Sequence, residues 1–219
     1  MRILAAVGIP VLWSNLVLPR LRLGLRDRTA ANAAFATGYA VIFGAGGSFR
    51  HRGSDLCAPP SSIRGLRWGV ALSALVFAGY AALLAVPATR GRLTEFAARE
   101  PEAGLTEWIT IHIPIGTVYS EELIFRATLD PLLNESNKVL GTWLGPTAFG
   151  LWHIIPARAA GDSVPGTVAL TALGGLVLSW LRRRTSNTIA PASLHLALNI
   201  GGAVAPHLAD RLSTRTRRS

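Results

Sequence analysis

Residues 108–126 read WITIHIPIGTVYSEELIFR, an apolar run that holds three charged side chains near its end, Glu121, Glu122 and Arg126. A charge at the centre of a membrane-spanning helix costs roughly 2.5–3.5 kcal/mol. Three such charges would nearly cancel the tendency of the helix to insert, unless they face an interior lined by protein. Because proteins usually retain that cost only for function, the run predicts a membrane-buried helix that carries a functional site.

The composition of the whole chain is typical of a membrane protein. Of its 219 residues, 50% are hydrophobic and 16% are charged, whereas soluble domains carry about 25% charged residues. Backbone polar groups in lipid must be hydrogen-bonded within their own segment, which favours helices. We therefore predict an all-α, multi-pass integral protein of the cell membrane.

The net charge of +10 comes almost entirely from arginine, since Lys138 is the only lysine. Arginines that flank spans contact anionic head groups, so the charge predicts the lipid bilayer as a partner. A nucleic-acid partner is not expected, because no basic helix with interleaved aromatic residues is present. Cys57 is the only cysteine, which excludes an intrachain disulfide and a cysteine metal cluster.

Seven apolar segments are long enough to cross a bilayer, which takes roughly 17–25 residues. They cover residues 3–19, 30–49, 68–87, 108–133, 139–155, 164–181 and 188–209. We therefore expect a polytopic transmembrane helical bundle of about seven spans, with six to eight as the range. The chain divides into N-terminal spans and loops (1–107), a helical core (108–209) and a basic tail (210–219).

Three of these segments carry polar residues in their interior. They are Glu121, Glu122 and Arg126 on the fourth segment, Phe149 and His153 on the fifth, and His195 and Asn199 on the seventh. A spacing of four residues places Glu122 and Arg126 on one helix face, where they can pair, and does the same for His195 and Asn199. Glu121 points about 100° away from Glu122, so the two glutamates are expected to differ in role.

Depth along the helices can be compared between the segments. With a rise of about 1.5 Å per residue and seven spans, Glu121, His153, His195 and Asn199 all lie about 12–21 Å from the same membrane face. These four side chains are therefore expected to share one layer of the bundle, with Phe149 as a wall beside His153. Asp130 lies near a membrane surface and is expected to be solvated.

Two histidines, a carboxylate and an amide in one buried layer suit the hydrolysis of a peptide bond, which needs an activated water and donors for the oxyanion. In one arrangement Glu121, His153 and His195 bind zinc, with water in an open position and Glu122 as base or supporting group. In the other, without metal, Glu121 takes a proton from water, His153 orients that water, and His195 and Asn199 stabilise the oxyanion.

The order of these motifs resembles the signature of the CAAX protease and bacteriocin-processing family. This family of intramembrane proteases is also called CPBP or Abi, and it includes the type II CAAX prenyl endopeptidases. The resemblance rests on Glu-Glu-x-x-x-Arg at 121–126, Phe-x-x-x-His at 149–153 and His-x-x-x-Asn at 195–199. Where family members often have glycine after the motif arginine, this chain has Ala127.

The resemblance implies that residues 108–209 form the catalytic core of an intramembrane endopeptidase. Glu121 would activate water, Glu122 would pair with Arg126, and His153, His195 and Asn199 would complete the site. The substrate would be a peptide or protein in or near the membrane, and the enzyme would depend on a metal or on glutamate. Two rival functions use the same buried residues: an ion- or proton-coupled transporter, and a non-catalytic scaffold or immunity protein.

Overall fold

The structure is a computed structural model that describes residues 1–44, 59–97 and 102–216. These residues form helices and turns without any strand, so the predicted all-α class is confirmed. The helices are α1 (Arg2–Arg20), α2 (Leu25–Gly44), α3 (Pro59–Ala85), α4 (Pro87–Ala97), α5 (105–136), α6 (Lys138–Trp152), α7 (Ile154–Ala160), α8 (Val164–Thr185) and α9 (Ile189–Thr216). The end of the second predicted segment, Cys57 and the last three residues of the predicted tail lie outside these ranges.

Within the described residues, four helices are long and apolar enough to cross a membrane. They are Arg2–Arg20, Ser61–Ala85, Val164–Thr185 and Ile189–Thr214. Large apolar side chains, such as Leu75, Trp143 and Leu170, are more than half exposed on their outer faces. Exposed apolar surface of this kind is typical of a face that meets lipid.

The structure changes the limits of two predicted segments. The fifth, predicted as one helix over 139–155, is divided because α6 ends at Trp152 and α7 begins at Ile154. His153 between them has φ −91° and ψ 6°, a conformation outside the regular helix. The seventh helix is longer than predicted, since α9 continues through 210–216, which we assigned to a basic tail.

Two apolar clusters form the core of the part of the chain that the structure describes. The larger joins α1, α2, α5 and α6 through buried residues that include Ala6, Ala36, Phe125 and Phe149. The smaller joins α8 and α9, and α3 packs against it. The ring of Phe149 in the larger cluster lies 6.1 Å from the ring of His195 on α9. The polar layer therefore lies where the two clusters meet.

Helix α5 is wound as a wide π-helix over Trp108–Tyr119 and Glu122–Leu129. Hydroxyls support this winding at the same five-residue offset, because Ser120 donates to the carbonyl of Ile115 at 2.9 Å and Thr128 to that of Leu123 at 2.8 Å. π-Helical turns are rare and are found mostly at functional sites. The two glutamates lie at the junction of the two π segments.

Candidate active site

Glu121 and Glu122 are the centre of the polar layer, and both are buried, with 5% and 4% of their surface exposed. Their side chains leave α5 in different directions, as the spacing predicts. Glu121 faces the end of α6 at Trp152 and His153 and also faces helix α9. Glu122 lies between α9 and the following turn of α5. The two carboxylates therefore meet different neighbours.

The two oxygens of Glu121 have different environments. Oε1 accepts a hydrogen bond from the indole Nε1 of Trp152 at 3.1 Å. Oε2 lies 3.9 Å from Nε2 of His153 and 3.7 Å from Nε2 of His195, and it has no hydrogen-bond partner among the described residues. One oxygen is thus held in place while the other faces both imidazole rings.

The other ring nitrogen of each histidine is occupied. Nδ1 of His153 lies 2.8 Å from the carbonyl oxygen of Phe149, and Nδ1 of His195 lies 2.9 Å from Oε1 of Glu122. Both partners are acceptors, so both Nδ1 atoms carry the proton, and in a neutral ring Nε2 is then an acceptor. When both rings are neutral, three acceptors converge, with Oε2 of Glu121 at 3.7–3.9 Å from the two Nε2 atoms, and they need a donor or a cation between them. A water molecule supplies such donors. Protonation of one ring at Nε2 makes that nitrogen a donor instead.

Arg126 balances the charge behind Glu122. Its Nη1 lies 3.8 Å from Oε1 of Glu122, and the side chain is completely buried. The guanidinium also lies over the rings of Phe149 and Phe125, at 4.1 Å and 5.8 Å from their centres. A desolvated cation over an aromatic face gains about 2 kcal/mol or more, so the rings partly replace the hydration that the arginine has lost.

Phe149 and Asn199, the remaining predicted site residues, take different places. The ring of Phe149 packs edge-on against His153 at 4.9 Å and against His195 at 6.1 Å, so it walls the site. Asn199 is half-buried one turn beyond His195, and its amide donates to the carbonyl of His195 at 3.0 Å. Among the described residues it has no recorded hydrogen bond to either glutamate.

The expectation that Asp130 is solvated is wrong, because Asp130 is completely buried. It follows Arg126 by one turn at the start of the α-helical end of α5. It lies against α6, where a side-chain carbon on Gly145 would come within 2.8 Å of its carboxylate. The position of a residue along its own helix does not show whether neighbouring helices cover it. Packing within the bundle covers Asp130.

Trp152 is a site residue that the sequence reading missed. It is buried, and the ring of Phe125 meets it edge-on at 5.7 Å. A buried indole N–H usually has a hydrogen-bond partner, and Trp152 immediately precedes His153 within the motif. Those two facts are the signal that was available in the sequence.

The carboxylate oxygen and imidazole nitrogens at the centre of the site are suitable zinc ligands. The distances between them are wider than a zinc site requires. Zinc binds imidazole nitrogen and carboxylate oxygen at about 2.0–2.2 Å, which in a tetrahedron places two ligands about 3.4 Å apart. The measured separations of 3.7 Å and 3.9 Å are wider, and the described residues contain no group of three acidic, histidine or cysteine side chains arranged to hold a metal. Glu121, His153 and His195 would therefore have to close in slightly to become ligands.

Comparison with models of known protein families gives a match. A family model described as type II CAAX prenyl endopeptidase Rce1-like matches residues 103–201. That stretch begins just before α5, ends within α9 and contains every site residue predicted from the sequence. No curated protein and no solved structure matches the chain. The match at residues 103–201 confirms the resemblance of this part of the chain to the CAAX protease and bacteriocin-processing family.

Proposed function

We propose that this protein is an intramembrane endopeptidase that hydrolyses a peptide bond at or within the cell membrane. The observation that carries the proposal is the convergence of the free oxygen of Glu121 and the Nε2 atoms of His153 and His195, buried at the junction of two helix clusters. The Rce1-like match supports a CAAX-type activity. The four apolar helices support insertion in a membrane, and we propose that all seven predicted segments cross it.

In this mechanism Glu121 is the base. A water molecule between Glu121 and His153 gives a proton to Oε2 of Glu121, while Nε2 of His153 accepts the other hydrogen and orients the oxygen. The resulting hydroxide forms a bond to the carbonyl carbon of the substrate. The C–N bond then breaks, and the proton held by Glu121 passes to the leaving amine. The products are a carboxylic acid and an amine, so the atoms balance.

His195 and Asn199 are the proposed donors for the oxyanion. The carboxylate of Glu122, 2.9 Å from Nδ1, stabilises a charged ring, and a charged His195 has a proton on Nε2 to donate to the developing negative oxygen. Asn199 projects from the next turn of α9 and supplies the second donor. Arg126 places a positive charge beside Glu122, with Nη1 at 3.8 Å from Oε1.

Zinc is the alternative partner of the same three side chains. Glu121, His153 and His195 would hold it, and a bound zinc ion would supply Lewis-acid polarisation of the carbonyl and a more acidic water. The mechanism derived from the side chains themselves assigns the proton to Glu121 and does not require the ion.

The substrate class follows from the membrane location and from the family description. We propose a peptide or protein segment that reaches the site from the bilayer, with a prenylated carboxyl-terminal tail as the first substrate to test. A suitable panel pairs farnesylated peptides that end in a CAAX sequence with the same peptides lacking the lipid.

The test is cleavage of this panel by the protein purified in detergent. We expect Glu121→Ala and His153→Ala to abolish cleavage. Glu107→Ala and His207→Ala, which replace the same residue types elsewhere on α5 and α9, should cleave like wild type. Equal cleavage by the Glu121→Ala, His153→Ala and wild-type proteins would reject this active site.

The same preparation distinguishes the rival functions. A proton-coupled transporter would move a solute into proteoliposomes only under a pH gradient, with no peptide cleaved. A scaffold or immunity protein would keep its biological effect with Glu121→Gln. Many transporters contain inverted repeats and paired broken helices. The sequence shows no such symmetry.

A further inference from the structure

The break between α6 and α7 places the candidate residues Trp152 and His153 against Glu121. In a continuous α-helix the N–H of Ile155 would donate to the carbonyl of Leu151, and residue 156 would donate to the carbonyl of Trp152. Residue 156 is a proline and has no N–H. The break therefore leaves the carbonyl of Trp152 and the N–H of Ile155 without their helical partners. The carbonyl of Leu151 loses the N–H of Ile155 and keeps only a backbone N–H at the end of α6.

All three partners come from two adjacent residues of α1. Asn15 donates from Nδ2 to the carbonyl of Leu151 at 2.8 Å and accepts from the N–H of Ile155 at Oδ1, also at 2.8 Å. Its amide thus stands between the two groups that a continuous helix would join directly. Insertion of a side chain into the ladder in this way is a recognised cause of helix kinks.

Ser14 bonds to the carbonyl of Trp152, which has no helical partner because residue 156 is a proline. Its hydroxyl is buried and donates to the carbonyl of Trp152 at 2.7 Å. Both residues belong to the π-helical turn of α1, Trp13–Val17. This turn presents two consecutive side chains to the same break, although Ser14 and Asn15 lie more than 130 residues away in the chain.

Two residues inside the stretch held by Ser14 and Asn15, Trp152 and His153, face Glu121. Trp152 donates to Oε1 of Glu121 at 3.1 Å, and the Nε2 atom of His153 lies 3.9 Å from Oε2. In a continuous α-helix the N–H of His153 would donate to the carbonyl of Phe149. Here it donates to the carbonyl of Gly150 at 3.0 Å, and Nδ1 of His153 bonds to the carbonyl of Phe149 at 2.8 Å. The break therefore fixes the orientation of the His153 ring, while Ser14 holds Trp152, the last residue of α6, through its carbonyl.

We propose that Ser14 and Asn15, together called the clamp, are positioning residues of the active site. They hold open the α6–α7 break and so aim Trp152 and His153 at Glu121. This inference rests on the proposed function. It assigns a role in catalysis to α1, which lies outside residues 103–201, the part that matches the Rce1-like model.

The experiment compares Ser14→Ala and Asn15→Leu with a matched control, Tyr39→Phe. The Tyr39 hydroxyl is also buried and also donates to a carbonyl of α1, that of Ala6, at 2.7 Å. Each protein is measured in two ways: kcat and KM on the cleaved peptide, and the NMR spectrum of 15N-labelled histidine. The five histidines give separate reporters, and loss of one signal in His153→Gln assigns His153.

We expect Ser14→Ala and Asn15→Leu to lower kcat about 10- to 100-fold, because displacement of a catalytic group by about 1 Å has effects of this size. KM should change little. The His153 signal should shift or broaden while the signals of the other histidines keep their positions. Tyr39→Phe should leave kcat and the His153 signal as in wild type.

Three results would overturn the proposal. The first is a wild-type kcat and an unchanged His153 signal in both clamp variants. The second is an equal loss in Tyr39→Phe. The third is collapse of all five histidine signals in both clamp variants, which would show that the pair holds the fold as a whole. If wild type cleaves no peptide, the proposed function fails, but the His153 signal still decides whether the clamp exists.

Discussion

Oε1 of Glu122 lies 2.9 Å from Nδ1 of His195, although the two residues are 73 positions apart in the chain. This contact joins α5 to α9 inside the bundle and fixes which nitrogen of His195 faces Glu121. Arg126 approaches the same carboxylate oxygen from the next turn of α5, at 3.8 Å. A buried carboxylate that serves a histidine and an arginine together makes the site sensitive to the loss of either partner.

Arg126→Met tests the cost of leaving Glu122 without its cation. Removal of one partner from a buried pair typically destabilises a protein by about 3–5 kcal/mol, and we expect a loss of this size in the free energy of unfolding. The double variant Arg126→Met/Glu122→Gln should recover part of the loss, because it removes the uncompensated charge. Unfolding in a denaturing detergent measures both.

The control for this pair is Arg26→Met, which breaks the surface pair of Arg26 and Glu107. Since the arginine there is largely exposed, the free energy of unfolding should remain close to that of wild type. An equally small effect of Arg126→Met would mean that the buried cation contributes little.

Trp152→Phe removes the indole donor from Oε1 of Glu121 and keeps an aromatic ring in the core. A hydrogen bond to a charged group contributes about 1.5–3 kcal/mol, so we expect kcat to fall by about tenfold or more. Trp13→Phe is the matched control, because the indole of Trp13 donates to Oδ1 of Asn32 at 2.9 Å, away from Glu121. Steady-state rates on one peptide compare the two; an equal loss in both variants would assign the effect to packing.

Gly150→Ala tests the close contact of α6 and α8. An added side-chain carbon would lie 2.7 Å from the carbonyl oxygen of Val168, so the helices must separate at a cost of about 1–3 kcal/mol. Gly174→Ala on α8 has open space around that atom and should unfold like wild type. If thermal unfolding of Gly150→Ala also matches wild type, the two helices are less tightly packed than the structure shows.

Metal removal tests the choice between the two mechanisms. If Glu121 activates water without a metal, dialysis against a strong chelator should leave the rate of cleavage unchanged. Loss of activity on chelation, with recovery on addition of zinc, would instead assign Glu121, His153 and His195 as ligands. Metal analysis of the same samples provides the stoichiometry.

The sequence was sufficient to predict an all-α protein and the residues that meet in the polar layer, because helical spacing determines which side chains share a face. Glu122 and Arg126 pair as their spacing predicts, and Glu121 meets His153 and His195. The prediction of one continuous helix over 139–155 hid the break at His153. Asn15, which bonds to both sides of the break, lies far away in the chain, where periodicity carries no information about it.

The burial of Asp130 and the indole contact of Trp152 were missed for related reasons. Exposure depends on the helices that pack alongside, and Asp130 is covered by α6 next to Gly145. The partner of Trp152 lies on another helix, and one sequence does not specify how two helices are rotated relative to each other. The roles of all these residues in catalysis remain predictions.

The most direct test of the account is the kcat of Glu121→Gln, a change that keeps the shape of the side chain and removes its basicity. Positioned proton transfer contributes about 10²–10⁴-fold, so kcat on the best cleaved peptide should fall by at least a hundredfold. Glu107→Gln on the same helix should match wild type, and both proteins should show the same thermal unfolding. A Glu121→Gln protein that turns over at the wild-type rate would contradict the central role given to Glu121.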